Sequence, residues 1–137
     1  MATYLADKSA LVHMRTAAVA AKLAPLIQKG EVATCGVVEL EVLYSARSEE
    51  DLTLTRGRRA AAFPRIAMSE QDFKRAEDVM AQLATKGHHR AVSLPDLVIA
   101  AAAERSRLVV LHYDADYDLI ATVTGQGAEW VAPRGSL

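Results

Sequence analysis

Four acidic residues of this 137-residue chain stand beside apolar segments, where folding would bury them partly or fully. Asp7 follows the apolar opening of the chain, and Asp114 follows another apolar run near the C-terminus. Asp96 begins an alanine-rich segment, and Glu41 lies inside an apolar one. A buried carboxylate is costly unless it is paired or binds a cation. The pattern therefore indicates that something neutralises these four acids.

Carboxylates that converge on one place repel each other by roughly 3 kcal/mol per pair at ~5 Å and an effective dielectric of about 20. A hard divalent cation such as Mg²⁺ offsets that repulsion, because it prefers carboxylate oxygens and water as ligands. The four acids together predict a metal-dependent active site. Taken alone, Asp7 or Asp96 is equally typical of a helix cap, so the prediction depends on the whole set.

Short apolar runs alternate with helical segments along the chain and must position these acids. We predict strands over 3–6, 31–35, 65–68, 108–111 and 129–131. Helices are expected from Ser9 through residues 11–12, up to Gly30, and over 37–46, 69–86, 95–105 and 117–124. The polar segment 48–55 is interpreted as a connector.

This alternation predicts an α/β fold in which helices cover both faces of a central, mainly parallel sheet of four to five short strands. Ligands bind at the carboxyl ends of the strands in such sheets. Asp7 and Asp114 belong at those ends. We find no internal repeat or linker, and expect a single domain over 1–137.

The composition indicates an ordinary globular protein, with 51% hydrophobic and 24% charged residues. No apolar run is long enough to span a membrane, and no secretory signal is expected at the N-terminus. Cys35 is the one cysteine, which excludes an internal disulfide and favours a reducing compartment such as the cytoplasm.

The net charge of −1 does not favour binding of nucleic acid through overall charge. Acid at the centre with base around it would give the same net charge. Four arginines are candidates for phosphate contacts, although solvated surface charges would look the same in sequence: Arg56, Arg58, Arg59 and Arg65.

Four segments of the chain resemble the motifs of the PIN-domain family, and in particular the VapC-type toxins of bacterial toxin–antitoxin pairs. Tyr4–Leu11 resembles a strand that ends in Asp-x-Ser, and Glu41–Arg47 resembles the helix Glu-Leu-Leu-Tyr-Gly-Ala-Arg. Leu94–Ala103 resembles Asp-x-x-Ile-Ala-Ala, and Leu111–Ile120 resembles the closing motif Thr-x-Asp-x-Asp-Phe. Each motif is weak by itself, but all four occur in the family's order and spacing.

The resemblance implies a three-layer α/β/α PIN-like domain that hydrolyses RNA phosphodiester bonds with Mg²⁺ or Mn²⁺. It implies that Asp7, Glu41, Asp96 and Asp114 form the catalytic metal site, with Asp116 as an auxiliary acid. Ser9 would hold a carboxylate or a water molecule through its hydroxyl. The resemblance further implies a homodimer and a cognate VapB-type antitoxin that blocks the acidic site.

Two positions leave the assignment of the site open. Glu39 competes with Glu41 as the helical acid, and the motif favours Glu41. His112 stands where the closing motif has threonine, so a hydroxyl is missing there, and the histidine either replaces it or simply packs.

Other functions remain compatible with a small α/β domain rich in acids. A receiver-type signalling domain would need a pair of acids after the first strand and a lysine after the fifth, and neither is present. A PIN-fold protein that binds or regulates without cleavage is disfavoured because all four acids are present. A nuclease acting on DNA or on flaps is the remaining alternative.

Overall fold

The computed structural model describes residues 2–137, and over this range the chain forms four short strands and seven helices. In chain order they are β1 (Tyr4–Ala6), α1 (Lys8–Leu11), α2 (Ala17–Gln28), β2 (Val32–Ala33), α3 (Gly36–Tyr44), α4 (Glu49–Ala62), α5 (Glu70–Ala84), α6 (Leu94–Arg105), β3 (Val109–His112), α7 (Asp116–Thr124) and β4 (Ala128–Trp130).

The strands form one parallel sheet in the order β2-β1-β3-β4. Successive residues of a strand point to opposite faces of a sheet. Leu5 and Val110 accordingly pack against α3, α5, α6 and α7, whereas Ala6 and Leu111 pack against α1 and α2. Both faces are covered, which is why the strands are continuous apolar runs. The predicted three-layer α/β/α architecture is confirmed.

The strand predicted over 65–68 is reduced to one isolated bridge between Arg65 and Thr34. Two backbone hydrogen bonds hold it, from Ile66 N to Thr34 O at 2.9 Å and from Thr34 N to Pro64 O at 2.9 Å. Pro64 has no backbone N–H to extend the ladder, and the neighbouring β2 is itself only two residues long. The sheet therefore has the smaller of the two strand numbers expected.

The prediction of a connector over 48–55 is wrong, because this segment contains the N-cap and the first half of α4. The Ser48 side chain caps the helix by accepting a hydrogen bond from Asp51 N at 3.0 Å. Three acidic residues in the first turn favour the positive end of the helix dipole: Glu49, Glu50 and Asp51. The apolar periodicity that predicts a helix is weak in this segment, whereas its capping pattern, Ser48 followed three residues later by Asp51, is visible in the sequence.

Two of the helices at the predicted site, α1 and α6, begin at side-chain caps. Asp7, rather than Ser9, caps α1, because Asp7 Oδ2 accepts a hydrogen bond from Ser9 N at 3.1 Å. Ser93 caps α6, with Pro95 in its first turn. At the other end of α6, Arg105 forms a salt bridge to the buried Asp72 of α5 at 2.7 Å. The orientation of α6 is thus fixed at both ends.

Candidate active site

The two strand-end acids lie together because β1 and β3 are hydrogen-bonded neighbours in the sheet. Asp7 directly follows β1, and its backbone N–H donates to Leu111 O of β3 at 2.9 Å. Asp114 lies two residues beyond the end of β3. The parallel pairing therefore delivers both carboxylates to the same edge of the sheet, as the sequence predicted.

Three helices, α3, α6 and α7, bring further acids to this edge. Carboxylate oxygens of Asp7, Glu41 and Asp96 lie within 4.8 Å of one another, and so do those of Asp96, Asp114 and Asp116. Asp96 belongs to both groups and joins them. A cleft of about 240 Å³ opens at this place, and its lining includes all of these acids except Asp116. The structure thus brings together all five acids assigned to the site.

Hydrogen bonds from the surrounding chain fix the orientation of these carboxylates. Ser9 donates to Asp7 Oδ2 from its hydroxyl at 2.6 Å, and that hydroxyl accepts from Tyr113 N at 2.9 Å. Asp116 Oδ2 accepts from Ser93 N at 3.0 Å, and Asp116 N donates to Asp114 Oδ1 at 2.9 Å. Ser9 therefore holds a carboxylate, which is one of the two roles considered for it.

Tyr117 also contacts the acids, and the sequence analysis did not single it out. Its hydroxyl lies 2.9 Å from Asp7 Oδ1 and 3.2 Å from Asp96 Oδ1, and the residue is buried. The available signal was the closing motif, in which tyrosine stands here in place of phenylalanine. A phenol at that position adds a hydrogen-bond donor behind the strand-end acids.

His112 packs behind the acids and does not line the cleft. It therefore does not replace the missing threonine hydroxyl there. The side chain is fully buried between the rings of Tyr117 and Trp130, with ring centroids 5.0 Å and 4.9 Å away. Its Nδ1 accepts from Asp114 N at 3.2 Å. Burial lowers the pKa of this imidazole, which favours its neutral form. His112 thus orients the Asp114 backbone through its ring nitrogen.

The crowded carboxylates oppose one another's ionisation. The pKa of Asp96 is raised from 3.8 to about 9, chiefly by burial, then by the hydrogen bond to Asp116 and by the charges of Asp7, Asp114 and Asp116. The pKa of Glu41 is also raised, first by burial and then by Asp7, against a smaller lowering by Lys8. Without a cation, Asp96 keeps at neutral pH a proton that a cation would displace.

The donor set fits a hard divalent cation. It consists of carboxylate oxygens only, which suit Mg²⁺ or Mn²⁺ rather than a soft metal. Among the described residues, Glu41 Oε1 is buried and has no hydrogen-bond partner. An unpartnered buried carboxylate oxygen beside other acids is the arrangement expected of a ligand to a cation.

Glu39 lies outside the acid cluster. Its carboxylate forms a bidentate pair with Arg59, with both N···O distances at 2.7 Å, and also accepts a hydrogen bond from Thr34. Burial raises the pKa of Glu39, but the bonds from Arg59 and Thr34 outweigh it and lower the pKa overall. The pair joins α3 to α4. Of the two rival acids, the structure places Glu41 at the cleft.

The four candidate arginines have different surroundings. Arg59 is buried in the pair with Glu39, so its guanidinium is not free for a phosphate. Arg56 and Arg65 are exposed and line one cavity of about 460 Å³ on the α4 side of α3. Arg58 is exposed and lies outside that lining. Three of the four candidates, Arg56, Arg59 and Arg65, therefore line one cavity, and Arg56 and Arg65 are the exposed ones. Glu39 lines this cavity and Glu41 lines the acidic cleft, so α3 lies between the two.

Comparison with known proteins identifies the family. The family model for the PIN domain matches residues 4–123. Ribonuclease VapC21 of Mycobacterium tuberculosis is 41% identical over 133 residues, covering 97% of this chain and 96% of the relative. Ribonuclease VapC18 of the same species is 40% identical over 136 residues, covering 98% of each chain. The chain belongs to the VapC family of PIN-domain proteins.

Solved structures agree with this fold. A chain in the crystal structure of DNA-bound VapBC from Salmonella typhimurium superposes with a TM-score of 0.78 at 18% identity, covering 96% of this chain and 100% of the other. At that identity the likeness bears on the fold alone. Over residues 2–137 of this VapC-family chain, no helix has both the length and the apolar character that crossing a bilayer requires.

Proposed function

We propose that this VapC-family chain is a divalent-metal-dependent endoribonuclease toxin, with Mg²⁺ as its ion and Mn²⁺ as a substitute. One observation carries the proposal: five carboxylates converge at the carboxyl edge of the sheet, and four of them line one cleft. The relatives that match this chain over nearly its whole length are named ribonucleases. Such a site suits hydrolysis of a phosphodiester, because the reaction develops negative charge that a cation stabilises.

We propose that Asp7, Asp96 and Asp114 hold the cation, with Glu41 completing the first group of acids and Asp116 the second. The bound cation would lower the pKa of water and neutralise phosphate charge. Ser9 orients the Asp7 carboxylate, and Ser93 N orients that of Asp116. The fold therefore presents the carboxylates already aimed, which reduces the reorganisation needed when substrate arrives.

The cleft itself offers little positive charge to an RNA backbone. Over residues 2–137, Lys8 is the one cationic side chain in its lining, and its ammonium donates to Ser45 Oγ at 2.6 Å. We propose that Arg56, Arg58 and Arg65 contact phosphates away from the scissile bond. A cavity that Arg56 and Arg65 line meets the groove beside Glu41 at Val37 and Leu40, which gives a continuous path across α3. Arg59 has a structural role in this proposal.

We further propose a VapB-type antitoxin that covers the acidic cleft, and a homodimer. An exposed apolar surface beside the cleft supports both. Leu40 is 70% exposed and Tyr44 is 92% exposed on α3, and Leu94 at the start of α6 is 66% exposed. Apolar side chains this exposed on neighbouring elements are typical of a surface that another chain covers.

Cleavage of total RNA by purified protein freed of antitoxin tests the proposal. Discrete fragments should form with Mg²⁺, and none should form with EDTA or with the Asp7→Asn variant. Asp78→Asn removes an exposed acid of α5 outside the cluster and serves as the matched control with normal cleavage.

The same assay with single-stranded and flap DNA separates the alternatives. Cleavage of DNA but not of RNA would assign a DNA nuclease. Metal binding with no cleavage of either nucleic acid, in a folded protein, would favour the non-catalytic alternative.

A further inference from the structure

The hydroxyl of Tyr117 lies at the meeting point of three elements. It comes from α7, and it is within hydrogen-bond distance of Asp7 after β1 and of Asp96 on α6, at 2.9 Å and 3.2 Å. Tyr117 is 2% exposed, so water does not compete for these contacts. Among the described residues, Tyr117 is the one whose side chain is hydrogen-bonded to both Asp7 and Asp96.

The acceptor sites of Asp7 are largely used by these contacts. Oδ2 accepts from the backbone and hydroxyl of Ser9, and Oδ1 accepts from the Tyr117 phenol. An ionised carboxylate has about four lone-pair sites, so about one remains. The carboxylate plane is therefore held from both oxygens, and the remaining site is the one available to a ligand in the cleft.

Two departures from the closing motif lie in contact here. His112 stands in place of threonine and removes a hydroxyl beside the acids, whereas Tyr117 stands in place of phenylalanine and adds one. The two rings pack with centroids 5.0 Å apart. The hydroxyl that Tyr117 adds contacts the carboxylates of Asp7 and Asp96.

We propose that Tyr117 is a positioning residue for metal binding, whose hydroxyl holds the carboxylates of Asp7 and Asp96 together. The inference rests on the proposed function, in which these acids bind a divalent cation. Asp7 and Asp96 lie on two separate elements, and a buried phenol hydrogen-bonded to both opposes their movement apart. Groups that orient metal ligands in this way typically contribute a factor of about 10–100 to metal affinity.

The test is Mn²⁺ binding, measured by titration calorimetry on antitoxin-free full-length protein. Tyr117→Phe keeps the ring and removes only the hydroxyl, and we expect its Mn²⁺ affinity to fall by about 10–100-fold. The Mg²⁺ concentration for half-maximal RNA cleavage should rise by the same factor, while kcat recovers at saturating metal. Tyr4→Phe removes a phenol at the opposite end of β1 and should match the wild type in both measurements.

A destabilised control separates positioning from general loosening of the fold. Ile120→Val lowers packing on the same helix, at a buried position that touches no acid hydrogen bond among the described residues. It should lower the melting temperature in EDTA and leave Mn²⁺ affinity unchanged. Equal affinity in wild type and Tyr117→Phe, or an equal loss in Ile120→Val, would overturn the inference while the proposed function stands. A wild type that binds no Mn²⁺ would overturn both.

Discussion

At the scale of single residues, Asp96 is the acid that joins the two groups of carboxylates. It belongs to both groups of carboxylates and is 5% exposed. Its pKa of about 9 means that the metal-free protein keeps it protonated at neutral pH, mainly because burial penalises the charged form. A cation must displace this proton, so metal affinity should rise with pH.

We expect Asp96→Asn to raise the metal-free melting temperature, by an amount that grows with pH. Between the ordinary pKa of 3.8 and the folded value of about 9, the folded wild type binds a proton that the unfolded chain releases. Its stability therefore falls as pH rises through this window, and asparagine cannot ionise. Thermal unfolding in EDTA from about pH 4 to about pH 9 measures the difference. A variant that melts at or below the wild type throughout would exclude crowding at Asp96.

Glu39 and Glu41 provide a matched pair of substitutions on one helix. We expect Glu41→Gln to abolish RNA cleavage and to keep or raise metal-free stability, because it removes a crowded acid. Glu39→Gln should instead lower stability by about 3–5 kcal/mol, because it leaves Arg59 buried without its counter-charge. Urea unfolding and RNA cleavage together distinguish them. Loss of stability in Glu41→Gln would mean that its carboxylate is structurally paired.

At the scale of secondary-structure elements, α3 and α4 divide two tasks. The α3 helix presents Glu41 to the acids on one side and Glu39 to Arg59 on the other. The α4 helix supplies Arg59 and displays Arg56 and Arg58 to solvent. The buried ion pair between Glu39 and Arg59 thus connects α3 to α4, and so positions the exposed arginines of α4 relative to the acidic cleft.

The interior of α4 contains Gly57, and a Cβ there would meet no atom within 4 Å. We expect Gly57→Ala to stabilise the protein by about 0.5–1 kcal/mol, because alanine loses less backbone entropy in a helix. Urea unfolding measures the change, and RNA binding should be unaltered because Arg56 and Arg58 are kept. A destabilised variant would contradict the open surroundings that the structure gives this position.

At the scale of the whole molecule, the net charge of −1 conceals an uneven distribution. Five acids meet at one edge of the sheet, whereas Arg56 and Arg65 line a separate cavity across α3. Phosphates at the arginine cavity would be attracted, and phosphates at the acids would be repelled without a cation. The distribution suits a substrate whose backbone is held beside the site and admitted to it together with metal.

We expect Arg56→Glu, made in an Asp7→Asn background to prevent cleavage, to weaken RNA binding and to reduce its salt slope by about 1. Lys29→Glu makes the same charge change at the C-terminal end of α2, before β2 and hence at the opposite edge of the sheet. It should leave the slope unchanged. Binding titrations over a range of salt concentrations measure both, and an unaltered slope in Arg56→Glu removes this arginine from the RNA path.

Local sequence patterns were sufficient to predict the fold class and the set of acids that converge at the sheet edge. Continuous apolar runs are a local signal of strands covered on both faces, and the residues directly after them must lie at the sheet edge. Asp7 and Asp114 were therefore predictable from strand ends, and Glu41 from its motif. The capping pattern of α4 was equally local, and its missing apolar periodicity concealed it.

Side chains without such a local signal have directions that depend on tertiary packing and could not be predicted from the sequence. Glu39 and Glu41 differ by two helical positions, so the packing of α3 determines which faces the cleft and which meets Arg59. The role of Tyr117 likewise depends on a hydroxyl that reaches Asp7, 110 residues away in the chain. A contact between residues so far apart in the chain depends on how the helices pack on the sheet, because no local sequence pattern predicts it.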